Sequence, residues 1–175
     1  MQPIVHLAVG YLCYVVYSRW AGEYPPAGGP VLLAVFAAVL PDLVDKPLAA
    51  AGVVPVGRTI GHSLLLAVPL MVAVWLAARR IERDDLGVAF GIGYASHLAS
   101  DVPWHVLSGD YHELGFLLWP ITTMPPYTGV KSVGTVAGVE VTTLWFEAVL
   151  LLAGIIVWWR DGRPGLGLLR QMLPT

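Results

Sequence analysis

Apolar residues fall into five long runs separated by short polar segments, and this alternation is the clearest feature of the sequence. A helix that spans a bilayer needs about 20 mainly apolar residues. Five segments approach this length, at residues 4–20, 31–48, 59–78, 86–106 and 141–159. The pattern predicts an all-α fold: a polytopic transmembrane bundle of about five spanning helices, forming one integral membrane domain over residues 1–175, with a long outer loop between helices four and five.

Two parts of the pattern depart from a regular spanning helix. The second segment is purely apolar from Val31 to Leu40 and is then interrupted by two prolines and two aspartates, at positions 41, 42, 45 and 47. Such an interruption is tolerated in a membrane where the chain is buried in protein or lines a cavity. In the long loop, residues 115–121 are apolar but too few to span, which predicts an interfacial or re-entrant piece able to cover a site.

Composition supports the bilayer as the solvent of this chain. The hydrophobic fraction is 57%, the charged fraction is 13% and the mean hydropathy is +0.70, values that do not suit a soluble domain. The single cysteine, Cys13, allows neither an intramolecular disulfide nor a cysteine cluster for zinc. The net charge of −2 and the scattered cations give no basic stripe for a duplex, so nucleic acid is not expected as a partner.

The distribution of arginines predicts the orientation in the membrane. They concentrate between the third and fourth segments and after the fifth, at positions 79, 80, 83, 160, 163 and 170. By the positive-inside rule both regions should be cytoplasmic. The first apolar run has no cationic n-region, so we expect a retained helix instead of a secretory signal. We therefore expect a multi-pass protein of the cell membrane whose long loop lies on the non-cytoplasmic side.

Ionisable residues recur inside four of the five apolar segments. An Asp near the centre of a spanning helix costs roughly 2.5 to 3.5 kcal/mol on insertion scales, so such groups usually face a cavity, a partner or an ion. Because successive helices alternate in direction, the start of the first segment, the end of the second, the start of the third and the end of the fourth fall in one leaflet. These positions carry His6, Asp42, Asp45, His62, His97 and Asp101.

The spacing and chemistry of these residues indicate a metal site. His97 and Asp101 are four residues apart and therefore share a helical face, and Asp42 and Asp45, which are three apart, do likewise if the helix persists past Pro41. Imidazole and carboxylate ligands suit zinc, with manganese or iron as alternatives. A bound dication would offset the cost of burying several anions and, with an open position, would lower the pKa of a bound water. The sequence therefore predicts a divalent metal centre near the non-cytoplasmic face.

Other interpretations of these residues stay open at this stage. His6 alone could be a polar residue at an interface, and His62 could simply begin a helix. The Asp42 and Asp45 pair could end a helix in water, and the whole set could hydrogen-bond to itself without an ion. Arg58, just outside the third segment, could bind a phosphate or carboxylate of a substrate, although an interfacial arginine is the commoner case.

Two acidic residues outside this set are weaker candidates. Glu113 lies in the outer loop, where it could be a simple solvated residue. Glu147 lies inside the fifth segment and could act as a partner to a metal ligand or as a proton relay. Neither position by itself indicates a function.

The same residues carry a resemblance to a known family. His6 with Gly10, LPDLVDK at 40–46, GRTIGHS at 57–63 and GYASHLASD at 93–101 resemble the YdjM-like family of membrane-bound, predicted metal-dependent hydrolases. The resemblance covers residues 1–105 in order and spacing. It implies a multi-pass membrane protein with a metal centre and, by distant similarity to zinc-dependent phospholipase C enzymes, hydrolytic activity. Carried over residue by residue, it implies His6, Asp42, Asp45, His62, His97 and Asp101 as metal-site positions.

These inferences lead to one main functional hypothesis and two alternatives. The main hypothesis is a membrane-embedded metal-dependent hydrolase acting on a lipid or lipid-linked phosphoester, because a centre within one leaflet most easily meets lipid head groups. Here Asp45 would be a ligand or the general base that positions the attacking water, and Arg58 would bind substrate. The alternatives are a non-catalytic metal-binding or transport-related protein, and a purely structural membrane protein.

Overall fold

The computed structural model describes residues 2–102, 106, 109, 111–123, 132–136 and 139–172. It is predominantly helical, which confirms the all-α part of the predicted fold class; a bundle of five spanning helices stays a prediction. The α-helices in these residues are α1 (Pro3–Trp20), α2 (Gly28–Ala37), α3 (Leu40–Ala50), α4 (Leu64–Arg80), α5 (Asp84–Ser100), α6 (Thr143–Arg160) and α7 (Leu166–Met172). The long loop contributes a 3₁₀ helix (His112–Leu118) and an antiparallel hairpin of β1 (Ser132–Val136) and β2 (Val139–Thr142). The apolar pattern did not indicate this hairpin.

The second predicted segment is not one helix but two. Helix α2 ends at Ala37, and α3 begins at Leu40 with Pro41 in its first turn. Proline is tolerated there because the N–H groups of the first turn have no hydrogen-bond partner within the helix. The prediction of one interrupted spanning helix over residues 31–48 is therefore wrong. The new helix carries Asp42 in its first turn and Asp45 one turn later.

The third predicted segment begins five residues later than expected. Residues 59–63 form a loop that wraps around Asp45, and α4 begins only after Ser63, whose hydroxyl accepts a hydrogen bond from the Leu65 N–H at 3.2 Å as a helix cap. His62 therefore lies in the turn before α4 and not in its first turn. The fourth segment ends at Ser100, so Asp101 is the C-terminal cap of α5.

Helix α5 packs against α1, α2 and α4, and glycine makes the closest approach possible. A Cβ at Gly93 would overlap the backbone carbonyl of Ala34 on α2, and a Cβ at Gly10 of α1 would overlap the Ala38 side chain. Only glycine permits backbones this close. The end of α2 is thereby held between the start of α1 and the end of α5.

Helix α6 runs parallel to α1. Near their starts the backbone N–H of Gln2 donates to Glu147 Oε2 at 2.9 Å, further along Gly154 faces Ala8, and beyond the end of α6 Asp161 accepts a hydrogen bond from the Tyr11 hydroxyl at 2.6 Å. The Glu147 carboxylate accepts from the Gln2 N–H, which has no hydrogen-bond partner within α1, and it places a negative charge at the positive end of the α1 dipole. Glu147 therefore anchors the turn of α1 that carries His6.

The cation-rich connections lie together at the end of the bundle away from His6. A Cβ at Gly28, the first residue of α2, would lie 2.9 Å from the Gly165 nitrogen after α6, and one at Gly29 would lie 3.8 Å from Arg83 Nη2 after α4. The opposite end of α2 meets His97. Both arginine-rich regions are thus on one side of the protein, and His6 and His97 are on the other.

Large apolar side chains cover the outer faces of α4 and α6. On α6 the exposed set includes Trp145, Phe146, Val149, Leu152 and Ile156, and α4 exposes a comparable band from Leu64 to Leu76. Within the residues that the structure describes, α6 is the one helix long and apolar enough by itself to cross a membrane.

Candidate metal centre

The predicted imidazoles and carboxylates meet at one end of the bundle. His6 comes from the start of α1, Asp42 from α3, His62 from the turn before α4, and His97 and Asp101 from the end of α5. Potential ligand atoms lie within 4.8 Å of one another in two overlapping groups, His6 with Asp42 and His97, and His62 with His97 and Asp101. The three histidines are fully buried. Such buried groups could hold a metal ion.

The outer nitrogen of each imidazole is held by a hydrogen bond that fixes its proton. His97 Nδ1 lies 2.7 Å from the Ala38 carbonyl, which can only accept, and His62 Nδ1 lies 2.7 Å from Asp45 Oδ2. His6 Nδ1 lies 2.9 Å from Ser100 Oγ, whose own hydrogen is donated to the His97 carbonyl. Each Nδ1 is therefore the donor, and each ring in its neutral form has an Nε2 lone pair available to a metal.

The three Nε2 atoms face a common space together with Asp101. The Nε2 atoms of His62 and His97 are 3.0 Å apart, and Asp101 oxygens lie 3.3 Å from the Nε2 atoms of His6 and of His62. Within the described part of the chain, His6 Nε2 makes no hydrogen bond. Because two facing lone pairs would repel each other, nitrogens at this distance share either a proton or a metal ion. The donor set therefore fits a divalent metal, with outer partners of the kind that orient metal-binding histidines.

Asp45 occupies a different position from the one we predicted. Its Oδ2 accepts from His62 Nδ1 and from the Thr59 N–H, both at 2.7 Å, and its Oδ1 accepts from the Gly61 N–H at 2.9 Å. Both carboxylate oxygens thus point away from the Nε2 cluster. This geometry disagrees with Asp45 as a direct ligand or as the general base, because His62 stands between its carboxylate and the common space.

Asp42 and Asp101 each face the cluster and a cation. Asp42 Oδ1 is 3.7 Å from His62 Nε2, while its Oδ2 accepts from Lys46 Nζ at 2.6 Å. Asp101 Oδ2 is 3.1 Å from Arg58 Nε, and the Arg58 side chain is 17% exposed. Arg58 therefore lies at the edge of the site, as its predicted role requires, and substrate binding by Arg58 stays a prediction.

The 3₁₀ helix covers the site. Phe116 is fully buried, its ring 6.1 Å from the His62 ring and 5.6 Å from the Arg58 guanidinium carbon. The segment is attached to α4 through the Ser63 hydroxyl, which donates to the Trp119 carbonyl at 2.6 Å. The expectation that this apolar stretch covers a site agrees with the structure. Glu113 on the same turn is also fully buried, which its place in a polar loop gave no reason to expect.

Comparison with known proteins identifies a family. The family model described as YdjM inner membrane protein matches residues 1–168. The match extends beyond the motifs of residues 1–105 and includes α6 and the start of α7. No curated protein and no solved structure matches the chain.

Proposed function

Because this chain belongs to the YdjM inner membrane protein family, we propose that it is a membrane-embedded, metal-dependent hydrolase of a lipid or lipid-linked phosphoester. Membrane localisation follows from the family, and the buried His and Asp groups could hold a metal. The activity, the metal and the substrate class are the parts that we propose.

The arrangement of the three imidazoles is the observation that carries this proposal. Each ring is fixed through Nδ1 by a different partner, namely Ser100, Asp45 or the Ala38 carbonyl, and each Nε2 faces the same space. A polar network without an ion would share a proton between the Nε2 atoms of His62 and His97, which are 3.0 Å apart. Three Nε2 atoms that surround one space together with the Asp101 carboxylate instead favour ligation of a metal ion.

In the proposed centre His6, His62 and His97 would hold the metal through Nε2, with Asp101 and Asp42 as oxygen ligands. Zinc suits this nitrogen and oxygen donor set, with manganese or iron as alternatives. When bound, such a metal supplies a Lewis acid that activates water for hydrolysis near neutral pH. Asp45 is then a positioning residue that fixes the His62 ring, and Arg58 at the edge orients the anionic group of the substrate.

The proposed membrane placement is a multi-pass bundle with the metal centre toward the non-cytoplasmic face. Helix α1 has 18 residues and α4 and α5 have 17 each, at the lower end of the length that spans a bilayer. Helix α2, with 10 residues, is too short to span and would need α3 to complete the crossing. The arginine-rich connections at the far end favour a cytoplasmic location for that end.

A non-catalytic metal-binding protein is the alternative, and the burial of the centre favours it. All three histidines are fully buried, and Phe116 covers His62 from the 3₁₀ helix. A closed centre of this kind retains a metal without needing access for a substrate. Only the hydrolase would convert a substrate to product.

A hydrolysis assay separates them. Purified protein loaded with zinc or manganese in lipid nanodiscs is offered a panel of phospholipids and soluble phosphoesters. The proposal expects product release by the wild type, loss of release in His97→Ala, and unchanged release in Glu23→Gln, a change at an exposed residue. Wild-type protein that holds metal but releases no product from any member of the panel would support the non-catalytic alternative.

A further inference from the structure

We propose that Lys46 is a second anion-binding residue, which together with Arg58 forms a cationic entrance to the metal centre that receives one phosphate group. This inference rests on the proposed function, because it assumes a metal-loaded centre and a phosphorus-containing ligand. It adds a residue that the sequence motifs assign to no role.

The first observation is the position of the Lys46 ammonium. Lys46 lies one turn after Asp42 on α3, and its Nζ is 2.6 Å from Asp42 Oδ2. The lysine side chain is 46% exposed while that of Asp42 is 6% exposed. Lys46 therefore lies between a buried carboxylate of the centre and the exterior. An ammonium has three N–H donors, so contact with Asp42 leaves donors that can face an incoming anion.

The second observation places Lys46 beside the segment that carries Arg58. A Cβ built on Gly57 would lie 3.7 Å from Lys46 Cγ, so the lysine stem lies beside the residue that precedes Arg58. Arg58 Nε in turn contacts Asp101 at 3.1 Å. Each cation thus contacts a different carboxylate of the centre, Lys46 from α3 and Arg58 from the loop that follows α3.

A bound metal strengthens the attraction of this entrance for an anion. Lys46 and Arg58 each contact a carboxylate of the centre, Asp42 and Asp101 respectively. A divalent metal would add two positive charges among these carboxylates. The loaded centre therefore attracts an anion more strongly than the empty centre does. Two cations beside a metal are the usual surroundings of a phosphate group.

The simpler interpretation of Lys46 is a structural ion pair with the buried Asp42 carboxylate, four residues earlier. Such a pair contributes to the stability of the helix and binds no ligand. That interpretation predicts that neutralising Lys46 changes nothing beyond stability, whereas the proposed entrance predicts a specific loss of anion affinity. The two interpretations therefore differ in a quantity that can be measured directly.

The test is calorimetric titration of manganese-loaded protein in detergent micelles with phenylphosphonate, which cannot be hydrolysed as a phosphoester. Lys46→Gln should bind this anion about tenfold more weakly, the loss expected for one charge-assisted hydrogen bond. Lys46→Arg should stay within about threefold of wild type because the charge and donors are kept. Arg80→Gln, at the far end of the bundle, is the control and should bind as wild type does. Metal content is measured on every variant.

The outcomes are distinct. Weaker phenylphosphonate binding in Lys46→Gln with full metal content supports the entrance. The proposed entrance is overturned by any of three results: no binding by the loaded wild type, equal binding by Lys46→Gln, or loss of metal from Lys46→Gln. Failure of the hydrolase proposal appears separately, as bound phosphonate without turnover of the phosphoester panel. A parallel titration with dihexanoyl phosphatidic acid distinguishes the source of the phosphate: much tighter binding indicates a lipid head group, and equal binding indicates a soluble phosphate.

Discussion

Replacement of Asp45 by Asn tests the role that the structure gives to this residue. Asp45 accepts three buried hydrogen bonds, from the Thr59 and Gly61 N–H groups and from His62 Nδ1. Asparagine has nearly the same shape, but it is neutral and presents an NH₂ group in place of one oxygen. At least one of the three donors therefore faces another donor in Asp45→Asn.

The size of the effect follows from these contacts. A hydrogen bond to a charged group contributes about 1.5 to 3 kcal/mol, and a buried donor left unsatisfied costs about 1 to 3 kcal/mol. We therefore expect Asp45→Asn to lower the free energy of unfolding of the metal-free protein by about 3 kcal/mol. Because His62 loses the partner that fixes its tautomer, metal affinity should fall by about 10- to 100-fold, as is usual when such partners are removed.

Both quantities can be measured in detergent micelles. Unfolding is followed by titration with SDS, and metal affinity by competition with a chelating dye. Asp85→Asn is the matched control, because that carboxylate forms an exposed pair with Arg83 and its loss should cost at most about 1 kcal/mol and no metal affinity. If Asp45→Asn keeps metal affinity within twofold of wild type but loses turnover, Asp45 is the general base and the geometric argument is refuted.

Two further predictions concern the scaffold of the site. Gly93→Ala should lower the free energy of unfolding by at least about 3 kcal/mol, because its methyl group would overlap the Ala34 carbonyl. Gly91→Ala is the control and should be neutral or stabilising, because the space around Gly91 is open; SDS titration of both variants measures the difference. Glu147→Gln should destabilise by about 0.5 to 1 kcal/mol through loss of charge at the α1 N-terminus, with Glu23→Gln as an exposed control, and equal unfolding curves would contradict the anchoring role.

Convergence of the histidines could be predicted from the sequence because it depends only on helix direction. His6 and His97 lie near opposite ends of their helices, and alternation of direction brings those ends together whatever the details of packing. The rings of His6 and His97 are 3.9 Å apart in the structure. The same logic identified the arginine-rich end, because Arg83 and Arg163 follow helices that run in the same direction.

The division of roles within the site could not be predicted in this way. Asp42 and Asp45 are both aspartates and lie one turn apart on α3. Their roles differ because backbone N–H groups of the loop at residues 59–63 donate hydrogen bonds to Asp45. The hydrogen-bond partners of His6 and His97, Ser100 and the Ala38 carbonyl, could not be predicted either, because a serine and a backbone oxygen belong to no sequence motif. A possible signal for Ser100 was its place one residue before Asp101, on the turn that His97 begins.

The end of the second helix shows a similar limit. Pro41 indicated an interruption, but the break occurs at residues 38–39, before the proline. The sequence alone does not distinguish a proline in the first turn of a new helix from a proline that kinks a continuous helix. Burial of Glu113 depends on how the 3₁₀ helix folds back over His62, a long-range contact that local patterns do not encode.

X-ray absorption spectroscopy of the purified protein tests the central claim most directly, since it reports the bound element and its nearest ligands together. The account predicts stoichiometric zinc, manganese or iron with a shell of nitrogen and oxygen neighbours, the multiple-scattering pattern of imidazole, and loss of this signal in His97→Ala but not in Cys13→Ser. Wild-type protein without a stoichiometric metal, or with a metal bound through sulfur, would contradict it.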